Sequence, residues 1–360
     1  MKQALYQDVL STYIDPYLNT DLFSANVIES ITGDASALTL HLIFPYANKG
    51  DHVRIVQELT ALLSAAGVTD VNIVIDNVIS PAEQKSKVDS LVNVKNIIAV
   101  SSGKGGVGKS TTSVNLALAL SAEGAKVGIL DADIYGPSQG MMLGVKPGTH
   151  PQPLAGDKML PIESLGISSM SIAYMIDETS PMVWRGPMAS GAISQMVNQT
   201  QWGQLDYLLI DMPPGTGDIQ LTLSQKVPIS GAVVVTTPQD IALLDAKRGI
   251  EMFQKVDIPV LGIIENMSVH ICSNCGHQEH IFGNGGGLAI AKQYHSELLG
   301  ALPLNIDIRT QADSGTPSVV ADAGSAVSLI YREVARLTAA RVHQLNQSAD
   351  KGPSLSIVND

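Results

Sequence analysis

Ser101-Ser102-Gly103-Lys104-Gly105-Gly106-Val107-Gly108-Lys109-Ser110-Thr111 decides the reading of this chain. It fits the pattern G-x-x-x-x-G-K-S/T. It follows the apolar run Ile97–Val100 and precedes a helical pattern with Val114, Leu118 and Ser121 on one face. That strand–loop–helix context is what the pattern needs to signify a phosphate loop. The glycines let backbone N–H groups turn inward around phosphate oxygens, and the start of the helix adds its dipole. Lys109 is then placed to neutralise β- and γ-phosphates, and the Ser110 hydroxyl to hold Mg²⁺. The alternative, a Gly-rich structural turn, does not explain the lysine and hydroxyl at fixed spacing. Lys104 stands early in the loop, where the loop backbone separates it from its own phosphates. It reads either as a cation reaching a nucleotide on a second subunit or as a solvated surface lysine.

Outward from the loop, short apolar runs alternate with helical segments: Val127–Leu130, Tyr207–Ile210, Ala232–Thr236, Val260–Ile264 and Leu299–Leu302. Strands that are apolar on both faces belong to a mostly parallel sheet flanked by helices, an α/β class. Ligands on such sheets lie at the carboxyl ends of the strands, and the polar motifs fall there. Asp131-Ala132-Asp133 follows one run, and Asp211-Met-Pro-Pro-Gly215-Thr216-Gly217-Asp218 follows another. Asp211 is the second Mg²⁺ candidate, and Asp133 a candidate to orient attacking water. Asp131, Asp133, Gly215, Thr216 and Gly217 are candidate switch residues that sense the γ-phosphate. A helix N-cap is the simpler role for either aspartate. Asn266, at the end of Val260–Ile264, is either a turn residue or an amide that meets an adenine edge. Residues 140–200 read as a hairpin-and-helix insertion.

The first 80 residues read as a small α+β domain. Tyr6–Tyr13 and His52–Ala66 have helical spacing, and Val27–Ile31, Leu38–Phe44 and Val71–Ile75 have strand character. Residues 81–93 read as a linker, 94–346 as the loop-bearing domain and 347–360 as a polar tail.

The 360 residues carry a net charge of −12, with 45% hydrophobic and 4% aromatic residues. The first 90 hold five Lys/Arg against eleven Asp/Glu and the remainder 17 against 23, so neither part is a basic nucleic-acid module. No apolar run reaches the roughly 18–20 residues of a membrane span, and the start lacks a signal-peptide core. The expectations are a cytoplasmic location with no nucleic-acid or membrane partner.

Cys272 and Cys275 are the two cysteines of the chain, spaced C-x-x-C. Zinc, an iron–sulfur cluster and a redox dithiol all use that spacing. Zinc and 4Fe–4S sites usually take four protein ligands. A twofold homodimer could bring two pairs together as a Cys₄ site. Zinc within one chain, through His277 and His280, is a second solution, and free structural thiols a third.

Taken together, Gly103–Ser110, Asp131-Ala-Asp-Ile-Tyr-Gly-Pro-Ser138, Trp184-Arg-Gly-Pro187, Asp211–Asp218, Glu265-Asn-Met-Ser268 and Cys272-x-x-Cys275 resemble the Mrp/ApbC family of iron–sulfur cluster carriers. Those are deviant-Walker P-loop NTPases of the group that includes MinD, ParA and the nitrogenase iron protein. The resemblance covers residues 94–340. Residues 1–80 resemble more weakly the small domain that precedes such ATPases, with Asp15-Pro16 in place but neither its following Gly nor a cysteine. The resemblance implies a slow ATPase acting as a homodimer. Lys104 would act across the interface and Asn266 at adenine, and the two cysteine pairs would share one 4Fe–4S cluster. The cluster would come from a scaffold and pass to recipient apoproteins. A MinD/ParA-like positioning ATPase, a nucleotide-gated zinc protein and an electron-passing reductase are the rival readings.

Overall fold

A computed structural model of the chain describes residues 2–82, 88–176, 186–272 and 274–350. Trp184 and Arg185, residues 83–87 of the expected linker and the last ten residues of the expected tail lie outside it.

The N-terminal elements are α1 (Lys2–Leu10), a two-residue ladder β1 (Ile14–Asp15) with β2 (Thr20–Asp21), β3 (Ile28–Asp34), β4 (Ala37–Phe44), α2 (His52–Ala65) and β5 (Val71–Asn77). β3 pairs antiparallel with β4, and β5 joins β4 in parallel. The inward side of β4 carries Leu38, Leu40, Leu42 and Phe44, all fully buried. Such period-two burial is what a one-sided sheet requires. The first helix stops at Leu10, three residues short of Tyr13. The Ser11 and Thr12 hydroxyls bond back to the Gln7 and Val9 carbonyls and compete with continued helix there.

The remaining elements are β6 (Val94–Ser101), α3 (Lys109–Ala122), β7 (Val127–Asp131), α4 (Gln139–Met142), β8 (Pro153–Leu154), β9 (Lys158–Met159), β10 (Ile162–Ser164), β11 (Ile167–Ser171), α5 (Gly186–Gln199), β12 (Leu205–Asp211), α6 (Asp218–Lys226), β13 (Gly231–Thr236), α7 (Asp240–Lys255), β14 (Val260–Ile271), β15 (Gln278–Glu279), α8 (Gly286–Gln293), β16 (Leu298–Leu304), α9 (Ile306–Asp313), α10 (Ser318–Ala321) and α11 (Ala326–Asp350). The main sheet runs β10-β11-β7-β12-β6-β13-β14, with β16 on the far side of β14. Every pair along β11-β7-β12-β6-β13-β14-β16 is parallel, and the short β15 pairs antiparallel with the end of β14. The expected six parallel strands are present, and β11 adds a seventh. Ile167-Ser-Ser-Met-Ser offers no apolar run, so its pattern is silent. Its serines are buried because Ser169 and Ser171 find partners in the Ile162 carbonyl and the Asp131 carboxylate. β7 and β12 lie side by side between β11 and β6, so the aspartates at their ends reach the phosphate loop that follows β6.

Alternate residues of β6 serve two cores. Ile98 and Val100 pack on the face shared with α3, α11 and the N-terminal elements. Ile97 and Ala99 pack on the face covered by α5 and α7. α3 is buried from Thr112 to Leu120, because the sheet lies on one side and α11 on the other; a helix apolar all round is an interior helix. Residues 88–93, expected within a linker, are folded in: Leu91 is buried and the Ser90 hydroxyl bonds the Val197 carbonyl. The expected start of the tail, residue 347, lies inside α11.

Candidate functional site

The phosphate loop leaves β6 at Ser101 and enters α3 at Lys109. Its glycines meet specific demands. A Cβ on Gly103 would stand 2.0 Å from the Asp245 carbonyl oxygen, and one on Gly108 would stand 2.2 Å from Asn266 Nδ2. Gly106 and Gly108 have φ of +83° and +81°, the left-handed region that favours glycine. Gly105 and Lys104 are exposed and Val107 is buried, so Lys104 projects to solvent from the loop's outer turn.

Lys109 is 6% exposed. Its Nζ donates to Asp211 Oδ1 at 2.7 Å and to Ser110 Oγ at 3.0 Å, with Asp133 Oδ2 at 3.9 Å. Asp211 is completely buried and accepts two further bonds, from Ser113 Oγ (2.8 Å) and Gln139 Nε2 (2.8 Å). Gln139 Nε2 also reaches the Ser110 carbonyl. Asp131, equally buried, accepts the backbone N–H groups of Asp133, Ser138 and Gln139 and the Ser171 hydroxyl. It therefore organises the chain after β7, as an N-cap does for α4. Burial, and then the neighbouring Asp211 charge, raise its pKa to about 7. Burial also raises that of Asp133, opposed by Lys109. Charged carboxylates are disfavoured away from water unless a cation offsets them. Three carboxylates thus converge on one ammonium.

The structure brings Lys109, Ser110, Asp131, Asp133 and Asp211 together. Gly215, φ +94°, is tied to the loop through its N–H to the Ser102 carbonyl at 3.0 Å. Thr216 and Gly217 are exposed beyond it. Sequence reading missed Ser113 and Gln139. Ser113 sits one turn after Lys109 on α3, a spacing that could have suggested it. Gln139 carries no local signal, because its contact with Asp211 spans 72 residues.

Beside the loop opens a cavity of about 430 Å³. Ser110, Thr111, Met141, Met142, Asn266, Pro303 and Ile308 are among its walls. Mostly apolar lining with a few polar groups suits a flat heteroaromatic base. Asn266 lies at this cavity, but its amide is turned to the loop: Nδ2 donates to the Val107 carbonyl at 2.9 Å, and Oδ1 accepts from Met267 N–H.

The thiols lie elsewhere, at the far end of β14. Cys272 is half-buried, Cys275 exposed, and both are free. The backbone N–H groups of Cys275 and Asn274 point at the Cys272 sulfur and lower its pKa, which favours the thiolate that binds metals. Among the described residues no group of three or more His, Cys, Asp and Glu side chains gathers as a metal site. His280 is tied through Nδ1 to the Ser268 carbonyl at 2.6 Å. Two thiols are what one chain offers. Among the described residues no helix is long and apolar enough to cross a membrane.

The sequence model of the NUBPL iron-transfer P-loop NTPases, within the ParA group, matches residues 93–339. The chain belongs to this family. An iron–sulfur cluster carrier protein of Pseudomonas fragi is 60% identical over 275 residues, 76% of this chain and 96% of that one. The iron–sulfur cluster carrier protein of Escherichia coli K12 is 49% identical over 95% of this chain and 92% of its own length. A solved nucleotide-binding protein in complex with ADP, from Archaeoglobus fulgidus, is 37% identical with a TM-score of 0.55, covering 63% of this chain and 89% of that one. Like other members of this P-loop NTPase family, the chain has a mostly parallel sheet flanked by helices, with the phosphate loop between β6 and α3.

Proposed function

We propose that this chain is a cytoplasmic, nucleotide-gated carrier of 4Fe–4S clusters. Two copies hold one cluster as cargo between their Cys272/Cys275 pairs, receive it from a scaffold and pass it to recipient apoproteins. The observation that carries the reading is the thiol pair, Cys272 half-buried and Cys275 exposed, just beyond the strand that also touches the phosphate loop, where no group of three or more possible metal ligands gathers among the described residues. A four-ligand site then needs a second chain. The names of the Pseudomonas and Escherichia relatives support the cargo, and the ADP complex of the Archaeoglobus protein supports the nucleotide.

In this reading ATP enters with its phosphates on the loop N–H groups from Gly103 to Thr111 and its base in the cavity by Asn266. Lys109 leaves Asp211 for the β- and γ-phosphates, a stronger anion than one carboxylate. That exchange frees Ser110 Oγ and takes the lysine off Asp211 Oδ1, which keeps the Ser113 hydroxyl. Hard oxygen donors of this kind suit Mg²⁺; Ser110 and Asp211 would hold it, supplying charge neutralisation at the phosphates. Asp133 orients the attacking water, and Gly215–Gly217 follow the γ-phosphate. Lys104, exposed, reaches the nucleotide of the second copy. Hydrolysis is slow and sets whether the cluster is kept or released.

Anaerobic reconstitution with iron and sulfide tests the cargo. About four iron and four sulfide per two chains, lost in Cys272→Ala, is the expected result. One zinc per chain and no cluster would overturn it. Equal cluster-transfer rates for wild type and Lys109→Ala would remove the nucleotide gate.

A further inference from the structure

We propose that Asn266 and His280 are positioning residues that tie the geometry of the cysteine loop to the occupancy of the nucleotide cavity, within a single chain. This rests on the carrier reading above and names how that site is regulated.

β14 touches both sites. At Glu265 it is anchored: the buried carboxylate accepts the Gly287 N–H at 2.6 Å. One residue later Asn266 donates to the Val107 carbonyl inside the phosphate loop. Beyond that point the strand is irregular. Glu265 faces Ala301 and Val269 faces Pro303, so four steps along β14 match two along β16. The extra residues form a bulge, and Met267 within it has φ of +57°. A methionine in the left-handed region is strained, and bulges re-aim strands next to functional sites.

The bulge holds both limbs of the cysteine loop. The outgoing limb is β14 itself, which ends at Ile271, one residue before Cys272 and five after Asn266. The returning limb is β15, paired through Glu279 with His270 and through Gln278 with Ile271. His280 follows it directly, and its ring bonds the carbonyl of Ser268 in the bulge at 2.6 Å. A carbonyl only accepts, so Nδ1 carries the hydrogen. The Cys272 N–H to the His277 carbonyl closes the loop between the limbs.

A nucleoside in the cavity meets Asn266 and Met267, both in its wall. A ligand that bonds the Asn266 amide competes with the Val107 carbonyl, and turning the amide also releases the Met267 N–H. The bulge then takes a second arrangement, and His280 carries the change to the loop that holds the thiols. Nucleotide affects the thiols here by as much as it favours one bulge arrangement over the other.

The test uses the full-length, cluster-free protein. Iodoacetamide alkylation of Cys272 and Cys275 is followed by mass spectrometry without nucleotide and at saturating ADP. In the wild type the rate should differ by about fivefold or more between the two states, the scale of a modest coupling. His280→Ala should bind ADP as the wild type does, yet alkylate at one rate in both states. His280→Asn, which restores an N–H donor of similar reach, should regain the response. Asn266→Ala, assayed at its own saturating ADP, should lose it. A wild type that binds ADP with unchanged alkylation, or either alanine variant responding in full, overturns the inference. Failure of the carrier reading would register separately, as no iron and sulfide bound on reconstitution.

Discussion

The two ends of α3 hold two fully buried carboxylates in opposite company. At its N-terminus Asp211 meets Lys109, and with Asp131 and Asp133 three carboxylates share that one ammonium. At its C-terminus Glu123 caps the helix and one carboxylate is shared by two guanidinium groups. Arg332 Nε and Arg336 Nη1 each donate to Glu123 Oε1 at 2.8 Å, and the Gly50 N–H donates to Oε2 at 2.7 Å. Glu123 stands at the negative pole of α3, where an acid is unfavourable; the two arginines of α11 offset that. Gly50 belongs to the N-terminal elements, and Arg336 also bonds the Tyr17 hydroxyl there. The second cluster is therefore a closed joint between α3, α11 and the N-terminal elements. The first is an unbalanced one, and in the function proposed above its lysine has an alternative partner in the phosphates. Both clusters are buried; what separates them is the ratio of charges, three carboxylates to one ammonium against one carboxylate to two guanidinium groups.

The largest effect should come from removing the shared cation. Lys109→Ala should weaken ATP binding by about 100-fold or more, measured by calorimetric titration, because charge-assisted contacts to the phosphates disappear. An affinity within a few-fold of wild type would mean that the lysine belongs to Asp211 and not to the nucleotide. Next in size is Glu123→Ala, which strands two half-buried arginines. It should lower the unfolding free energy in urea by about 3–5 kcal/mol, the cost of breaking a buried pair, while ATP affinity stays near wild type. If affinity falls with stability, the two ends of α3 are not independent.

A pH titration sharpens the contrast further. Below about pH 4 the Asp131 carboxyl is protonated in both the folded and unfolded states. Between there and about 7, the folded value, the unfolded chain alone releases that proton, so the stability of nucleotide-free protein falls as pH rises. The slope from this group is at most about 1.4 kcal/mol per pH unit, and Asp131→Asn should flatten it relative to wild type. An unchanged slope in the variant would place the proton elsewhere. The smallest effect belongs to Gly50→Ala. Its Cβ would stand 2.0 Å from Arg332 Nη2 and 2.7 Å from Glu123 Oε1. The end of Arg332 can swing aside while Arg336 stays, so a loss of about 1 kcal/mol is expected in the same urea assay. A loss as large as that of Glu123→Ala would show that Arg332 carries the joint by itself.

Local pattern made much of this molecule readable before its structure. The phosphate loop is a contiguous motif, and its glycines, lysine and hydroxyl act within nine residues. Strands such as Ile97–Val100 and Tyr207–Ile210 are apolar on both faces, which is the mark of a covered parallel sheet. β11 escaped because Ser168, Ser169 and Ser171 look like loop residues until tertiary partners satisfy their hydroxyls. Gln139 and Glu123 escaped for the same reason: Asp211 lies 72 residues from Gln139, and Gly50, Arg332 and Arg336 lie 73, 209 and 213 residues from Glu123.

The sequence by itself determined where phosphate-binding backbone would form, which runs would become sheet, and that two thiols would stand together on one loop. Those are consequences of residue type at short spacing, and short-range sterics and periodicity carry them. Tertiary structure alone decided that Lys109 rests on Asp211, that Asn266 faces the Val107 carbonyl, and that His280 straps the cysteine loop to β14. Each of those is a choice among several polar partners of similar strength. It is settled by which groups the fold buries within reach of one another, because a buried polar atom must take the partner that the packing leaves it.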